Sequence, residues 1–169
     1  MTWFSARNIS ISTVPVKPEE IWHLISDPAA LAALTPLVRS IEASGPQWRW
    51  TLNGIEGLGL NVEAVFTERM EFSEQRQIVF THEPVSGPRE RAGVEGVYDL
   101  TPQGPEATDL KVDLTLSVDL PMPRLSRQFV EHFILSTMRT TGRHFAANLY
   151  KRLGLDPSAA SITELSPPK

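Results

Sequence analysis

Between Leu110 and Leu120 the chain alternates without a break. Leu110, Val112, Leu114, Leu116, Val118 and Leu120 fall on one side; Lys111, Asp113, Thr115, Ser117 and Asp119 fall on the other. A period of two places every apolar side chain of such a run on one face of a strand. One wet and one buried face fit an antiparallel sheet, since parallel sheets are covered on both sides. Pro121 and Pro123 end this run, and from Arg124 to Leu153 there is neither proline nor two-residue alternation. There Val130, Ile134, Met138, Thr141, Phe145 and Leu149 recur at three- and four-residue steps, which predicts one helix of about 30 residues with that stripe against the sheet. Gly142 weakens the helix midway and marks a bend or a close approach. A wet-faced sheet followed by a long amphipathic helix makes the fold class α+β.

The rest of the chain supplies more strands and two short helices. Ile9, Ile11 and Thr13 alternate with Ser10 and Ser12 as a half-buried strand over Asn8 to Val14. Pro18-Glu19-Glu20 then opens a helix, with proline at its first position and acids at the positive end of the dipole. Asp27 is placed to cap a second helix from Pro28 through Leu31 and Leu34 to Pro36. From Val38 onward strands are expected between the turn signals Ser44-Gly45-Pro46, Asn53-Gly54, Ser73-Glu74, Ser86-Gly87-Pro88 and Pro102-Gln103-Gly104-Pro105. Trp48, Trp50 and Leu52 alternate with Arg49 and Thr51, and Leu60, Val62, Ala64 and Phe66 with Asn61, Glu63, Val65 and Thr67. About six strands after the first, in meander order, make a sheet of seven.

Composition narrows the function. The 169 residues suit one domain at roughly 150 residues per domain. With no cysteine, disulfides, thiol nucleophiles and cysteine-ligated metals are excluded. A net charge of −4 argues against a nucleic-acid binder. The opening Met1-Thr2-Trp3-Phe4-Ser5-Ala6-Arg7 has no apolar signal core, and no window reaches the roughly 20 apolar residues of a membrane span. A cytoplasmic location is the expectation.

The order of strand, two short helices, meander and long C-terminal helix resembles the helix-grip fold of the START and birch-pollen-allergen (SRPBCC) superfamily. Within it, Pro18-Glu19-Glu20-Ile21-Trp22-His23-Leu24-Ile25-Ser26-Asp27-Pro28, followed by Leu34-Thr35-Pro36, is similar to the opening of the polyketide cyclase/dehydrase-like branch. The resemblance covers residues 5–153 as a single domain and leaves 154–169 as a flexible tail. It implies a curved sheet wrapped around the long helix, and an apolar cavity on the concave face that takes a hydrophobic small molecule such as a lipid, a quinone or a polyketide-like compound.

The faces that would line such a cavity carry Trp50, Val62, Ala64, Phe66, Leu114 and Leu116 from strands, and Met138, Thr141 and Phe145 from the helix. The same residues packed on one another would make a filled core, so both readings stay open. Four polar residues are candidates for chemistry. Glu68 follows Phe66 on the inward register, and burial would raise its pKa toward that of a general acid or base; a strand ending by Thr67 would leave it solvated. Tyr98 alternates with Val94 and Leu100, which fits a core tyrosine as well as a catalytic one. Thr141 lies in the helix stripe, where its hydroxyl can instead bond the preceding turn. His82 follows Ile78 and Phe80 at steps of two.

His23, His132 and His144 read as structural or surface residues. His132 and His144 are about 120° apart around a helix, so no pair suits a helical metal site. Gly54-Ile55-Glu56-Gly57-Leu58-Gly59 lacks the strand-then-helix setting of a dinucleotide site and reads as a hairpin connection. No organic cofactor or metal is implied, and no nucleophile elbow occurs.

Charge is unevenly placed. The C-terminal helix carries Arg124, Arg127, Arg139, Arg143, Lys151 and Arg152 against Glu131, leaving a net −9 for the remainder. Arg139 and Arg143 form a solvated face, or else a surface for peripheral contact with an anionic membrane. The leading expectation is a carrier or binder of an apolar small molecule. An aromatase/cyclase or dehydratase-type enzyme using the same cavity stands second, with Glu68, Tyr98, His82 and Thr141 moving protons. A protein-interaction module, marked by an uncovered apolar patch, stands third.

Overall fold

The computed structural model describes residues 1–57, 60–62 and 64–167, and of residues 55–63 it describes no side chain. In chain order the elements are β1 (Thr2–Val14), α1 (Pro18–Ile25), α2 (Pro28–Leu34), β2 (Val38–Ser44), β3 (Gln47–Leu52), β4 (Ile55–Gly57), β5 (Leu60–Val62), β6 (Val65–Ser73), β7 (Gln77–His82), β8 (Ala92–Pro102), β9 (Thr108–Leu120), a 3-10 turn (Arg124–Ser126), α3 (Arg127–Arg152), a second 3-10 turn (Pro157–Ala159) and β10 (Thr163–Leu165).

One antiparallel sheet runs β10-β1-β9-β8-β7-β6-β3-β2. Seven of its strands are the first strand and the expected meander. The count is eight because the segment after Gly154, expected to trail as a tail, returns to the free edge of β1 and pairs Ile9 with Leu165 and Ile11 with Thr163. The Ser12 hydroxyl donates to the Ser161 carbonyl at 2.7 Å beside this seam. A second departure concerns the alternation from Leu60 to Thr67, which is two strands and not one. β5 pairs with β4 in a separate hairpin (Ile55 with Val62), and β6 joins the main sheet from Val65. Ile55–Gly57 of the glycine-rich stretch thus form one strand of that hairpin, and residues 58–59 lie outside the described part.

The helices start as their sequences dictate. The Glu20 carboxylate accepts the Lys17 N–H at 3.1 Å, and Asp27 accepts from Ala29 and Ala30 at 2.9 and 3.2 Å. Ile21, Trp22 and Ile25 of α1 and Leu31 and Leu34 of α2 are buried, closing one end of the concave face. α3 lies across that face as one continuous helix through Gly142. It is tied down at both sides: Asn148 donates to the Leu34 carbonyl at 3.0 Å and the Tyr150 hydroxyl to the Thr13 carbonyl at 3.1 Å.

Register explains which face of β1 looks inward. Ser12, Ser10, Asn8, Ala6 and Phe4 stand opposite Leu110, Val112, Leu114, Leu116 and Val118, so they share the face of the alternating apolar row of β9. The Ile9 and Ile11 side faces away from α3. On that side the Arg7 guanidinium grips Asp113 through bonds of 2.9 and 2.8 Å, and the Ser5 and Ser117 hydroxyls meet at 2.8 Å.

Candidate functional site

Between the concave face of the sheet and α3 lies a cavity of about 170 Å³. Its existence follows from the packing at the middle of α3. Val130 and Ile134 at one end and Ala146, Leu149 and Tyr150 at the other are buried, whereas Met138, Thr141 and Phe145 are only half-buried and face open space. The sheet curves away from the helix there, and Val112 and Leu114, opposite, are half-buried as well.

Most of the expected lining residues meet around this space. Trp50, Phe66, Leu114, Leu116, Met138, Thr141 and Phe145 all border it, with Trp50 and Phe66 stacked at 6.1 Å and 10° between ring planes. Ala64 is buried but does not border the cavity. The Val62 side chain lies outside the described residues. Sequence reading missed a polar flank, Asn8, Ser10 and Ser12 of β1, which borders the same space as Met138, Thr141 and Phe145. The signal was present in the pairing of β1 with β9, which turns the serines, not the isoleucines, inward. Leu31, Leu37 and Leu52 also line the cavity and were not singled out.

Glu68 is the only carboxylate among the described lining residues. β6 continues past Thr67, so the side chain stays on the inward face, 1% exposed, and its Oε2 has no hydrogen-bond partner among the described residues. Burial away from water pushes its pKa well above the ordinary glutamate value of 4.5. The nearby Trp50 indole acts in the opposite direction without closing a hydrogen bond, since Trp50 Nε1 is itself buried and unpartnered. Tyr98, across β7 from β6, borders the same space and packs edge-on against Phe80 at 5.2 Å. Burial raises its pKa, and a negative charge on Glu68 acts in the same sense.

His82 takes a different path. It is register-paired with Glu68, yet its ring turns to the strand end, where Nε2 lies 2.8 Å from Glu90 Oε2. Glu90 also accepts from the Thr67 N–H at 3.0 Å and the Thr67 hydroxyl at 2.8 Å. This cluster anchors the connection between β7 and β8 to β6, and His82 does not border the cavity. Close by, Arg89 reaches the buried Asp119 at 3.1 Å. His132 and His144 are exposed on α3, and His23 lies 3.6 Å from Glu19 at the surface. Among the described residues no group of three His, Asp or Glu side chains is arranged to hold a metal ion.

The outer face of α3 is exposed at Arg139 and Arg143, which contact Asn8 at 3.4 Å and Thr140 at 3.0 Å. Where the helix begins, Leu125 is 99% and Phe129 64% exposed. No described helix is long and apolar enough to cross a membrane.

An antiparallel sheet gripping one long helix around a mostly apolar space defines a START-like fold. Residues 7–153 match the family model described as polyketide cyclase/dehydrase and lipid transport, and the chain belongs to that family. Its fold is similar to that of a conserved protein from Geobacillus kaustophilus (17% identity, 92% of this chain and 98% of that one covered, TM-score 0.66). It is similar in the same way to a START superfamily protein from Mycobacterium smegmatis (23%, 87% and 97%, TM-score 0.62) and to the Zhui aromatase/cyclase of a Streptomyces species (13%, 90% and 94%, TM-score 0.62). No curated protein matches at a significant level.

Proposed function

We propose that this chain binds a predominantly apolar small molecule between the sheet and α3, and carries or presents it. The observation that supports this most directly is the half-burial of Met138, Phe145, Val112 and Leu114 around an open space in an otherwise closed core. Half-buried apolar side chains gain by receiving a ligand that completes their contacts. The test is to fill the space from within. Leu114→Trp should abolish uptake of an uncharged naphthalene fluorophore while leaving the unfolding transition cooperative; unchanged uptake would move the ligand elsewhere.

A second reading, acid–base chemistry of the cyclase or dehydratase type, draws on the Glu68 carboxyl, whose pKa burial raises in an apolar wall with Tyr98 and Thr141 on the same space. Turnover of a polyketide-like substrate that disappears in Glu68→Gln, with binding retained, would favour it over carriage.

Peripheral contact with an anionic membrane through α3 is supported by Leu125 and Phe129 standing exposed beside Arg124. Leu125→Asp should then reduce co-sedimentation with vesicles containing phosphatidylserine, and Arg139→Glu with Arg143→Glu should remove its salt dependence.

A further inference from the structure

The cavity has one place where two buried polar groups lack partners, and both belong to residues that border it. Trp50 and Phe66 are opposite each other across β3 and β6, so Glu68 stands diagonally from Trp50 on the same face, within reach of a long side chain. Glu68 Oε2 and Trp50 Nε1 are each shielded from solvent, and among the described residues each is unbonded. Buried polar atoms of a folded chain are almost always satisfied, so two neighbouring exceptions on one cavity wall point to a group that arrives with the ligand. The indole offers only a donor, and the carboxyl in its neutral form offers a second. The flank of Asn8, Ser10 and Ser12 belongs to β1, separated from β6 in the sheet by β9, β8 and β7, so it is a different polar wall.

Resting on the ligand-cavity reading, we propose that Glu68 and Trp50 form a carbonyl-recognising end of the cavity, their O–H and N–H converging on one carbonyl oxygen of an otherwise apolar ligand. The ligand class is therefore a ketone, quinone or ester carried on a hydrocarbon or aromatic body, in preference to a pure hydrocarbon or an alcohol. A carbonyl oxygen accepts two hydrogen bonds and needs to donate none, which matches the two donors; the other carboxyl oxygen of neutral Glu68 keeps its acceptor capacity.

Three probes of nearly equal size separate the outcomes: acetonaphthone, ethylnaphthalene and naphthylethanol, titrated into the full chain by calorimetry, with the carbonyl stretch of bound acetonaphthone read by infrared difference spectroscopy. The expected result is that acetonaphthone binds about tenfold more tightly than ethylnaphthalene, the effect of two otherwise unmet hydrogen bonds, and more tightly than naphthylethanol. Its carbonyl stretch should move to lower frequency on binding. Glu68→Leu should bring the acetonaphthone-to-ethylnaphthalene ratio close to one and return the stretch toward its value in hydrocarbon solvent. Glu68→Gln, whose amide still donates, should keep most of both. Equal binding of all three probes by the unaltered chain overturns the carbonyl end and leaves the cavity reading standing. A preference for naphthylethanol overturns it in favour of Glu68 as an acceptor. Failure of every probe to bind overturns the cavity reading itself. The comparison of probes on the unaltered chain decides the matter even where a Glu68 variant does not fold.

Discussion

Glu68 and Trp50 stand one diagonal step apart on the inward face of β6 and β3, and each buries a polar atom that nothing among the described residues satisfies. Around them the wall is built from Phe66, Met70 and Phe80, which cannot offset the loss of water. The pair is therefore a local weakness in the fold as well as a candidate ligand contact, and the two aspects can be measured separately.

Stability should depend on pH through Glu68. Its folded pKa is raised above the ordinary value of 4.5 by burial, so between the two values the native state holds a proton that the unfolded chain has released. Stability from this group is full below the ordinary glutamate pKa and is lost as pH rises through the folded one. Glu68→Gln does not titrate. The difference in melting temperature, Glu68→Gln minus unaltered chain, should grow as pH is raised from about 5 to about 8. A constant difference would mean that Glu68 is hydrated in solution.

Gly93 should resist any side chain. A Cβ there would overlap the His82 imidazole, which is held by Glu90 at 2.8 Å and has little room to retreat. Gly96→Ala should be worse, because its Cβ would meet the Asp113 backbone carbonyl in β9, which cannot rotate away. We expect Gly93→Ala to lose about 1–3 kcal/mol by denaturant unfolding, and Gly96→Ala more, with disturbed pairing of β8 and β9.

Removing Ser161 onward should expose the outer edge of β1. The three residues of β10 are exposed, so the direct loss is small, about 1 kcal/mol, by chemical denaturation. The larger effect should be on association: an open edge strand templates pairing with a second copy, and light scattering should show concentration-dependent growth absent from the full chain.

Asp27→Ala should loosen one cavity wall from a distance. Asp27 caps α2 through Ala29 and Ala30, and Leu31 on that helix borders the cavity. The substitution should lower stability by about 1 kcal/mol and weaken fluorophore uptake, while Asp27→Ser should restore both. Unaltered uptake would detach α2 from the site.

The fold was legible where the period of the sequence coincided with a real boundary between core and solvent. Leu110 to Leu120 is such a run, and so is the stripe from Val130 to Leu149. The break between β5 and β6 was not legible, because no glycine or proline separates Val62 from Val65 and the alternation runs through it. β10 was not legible either: three exposed residues leave no apolar pattern, and only the free edge of β1 gives them a reason to be ordered. The inward serines of β1 were not legible for a related reason. Pattern reading sends the apolar side inward, whereas here the register with β9 does the choosing.

Within the site, the inward register of Glu68 could be counted from Phe66, and the apolar lining followed from the strand and helix periods. Its missing partner could not be counted, since that depends on Trp50 eighteen positions earlier and on space left beside it. The Thr67, His82 and Glu90 cluster was invisible for the same kind of reason: it joins two strands and a connection whose path only the folded chain displays.

The central claim is that the space between the sheet and α3 holds an apolar small molecule. Gentle purification followed by native and denaturing mass spectrometry tests it most directly, with acetonaphthone then offered to the protein. The account predicts either a defined passenger that leaves on unfolding or one-to-one uptake of the offered ketone, which Leu114→Trp abolishes. A bare chain mass before and after exposure to the ketone, or uptake that Leu114→Trp leaves unchanged, would contradict it.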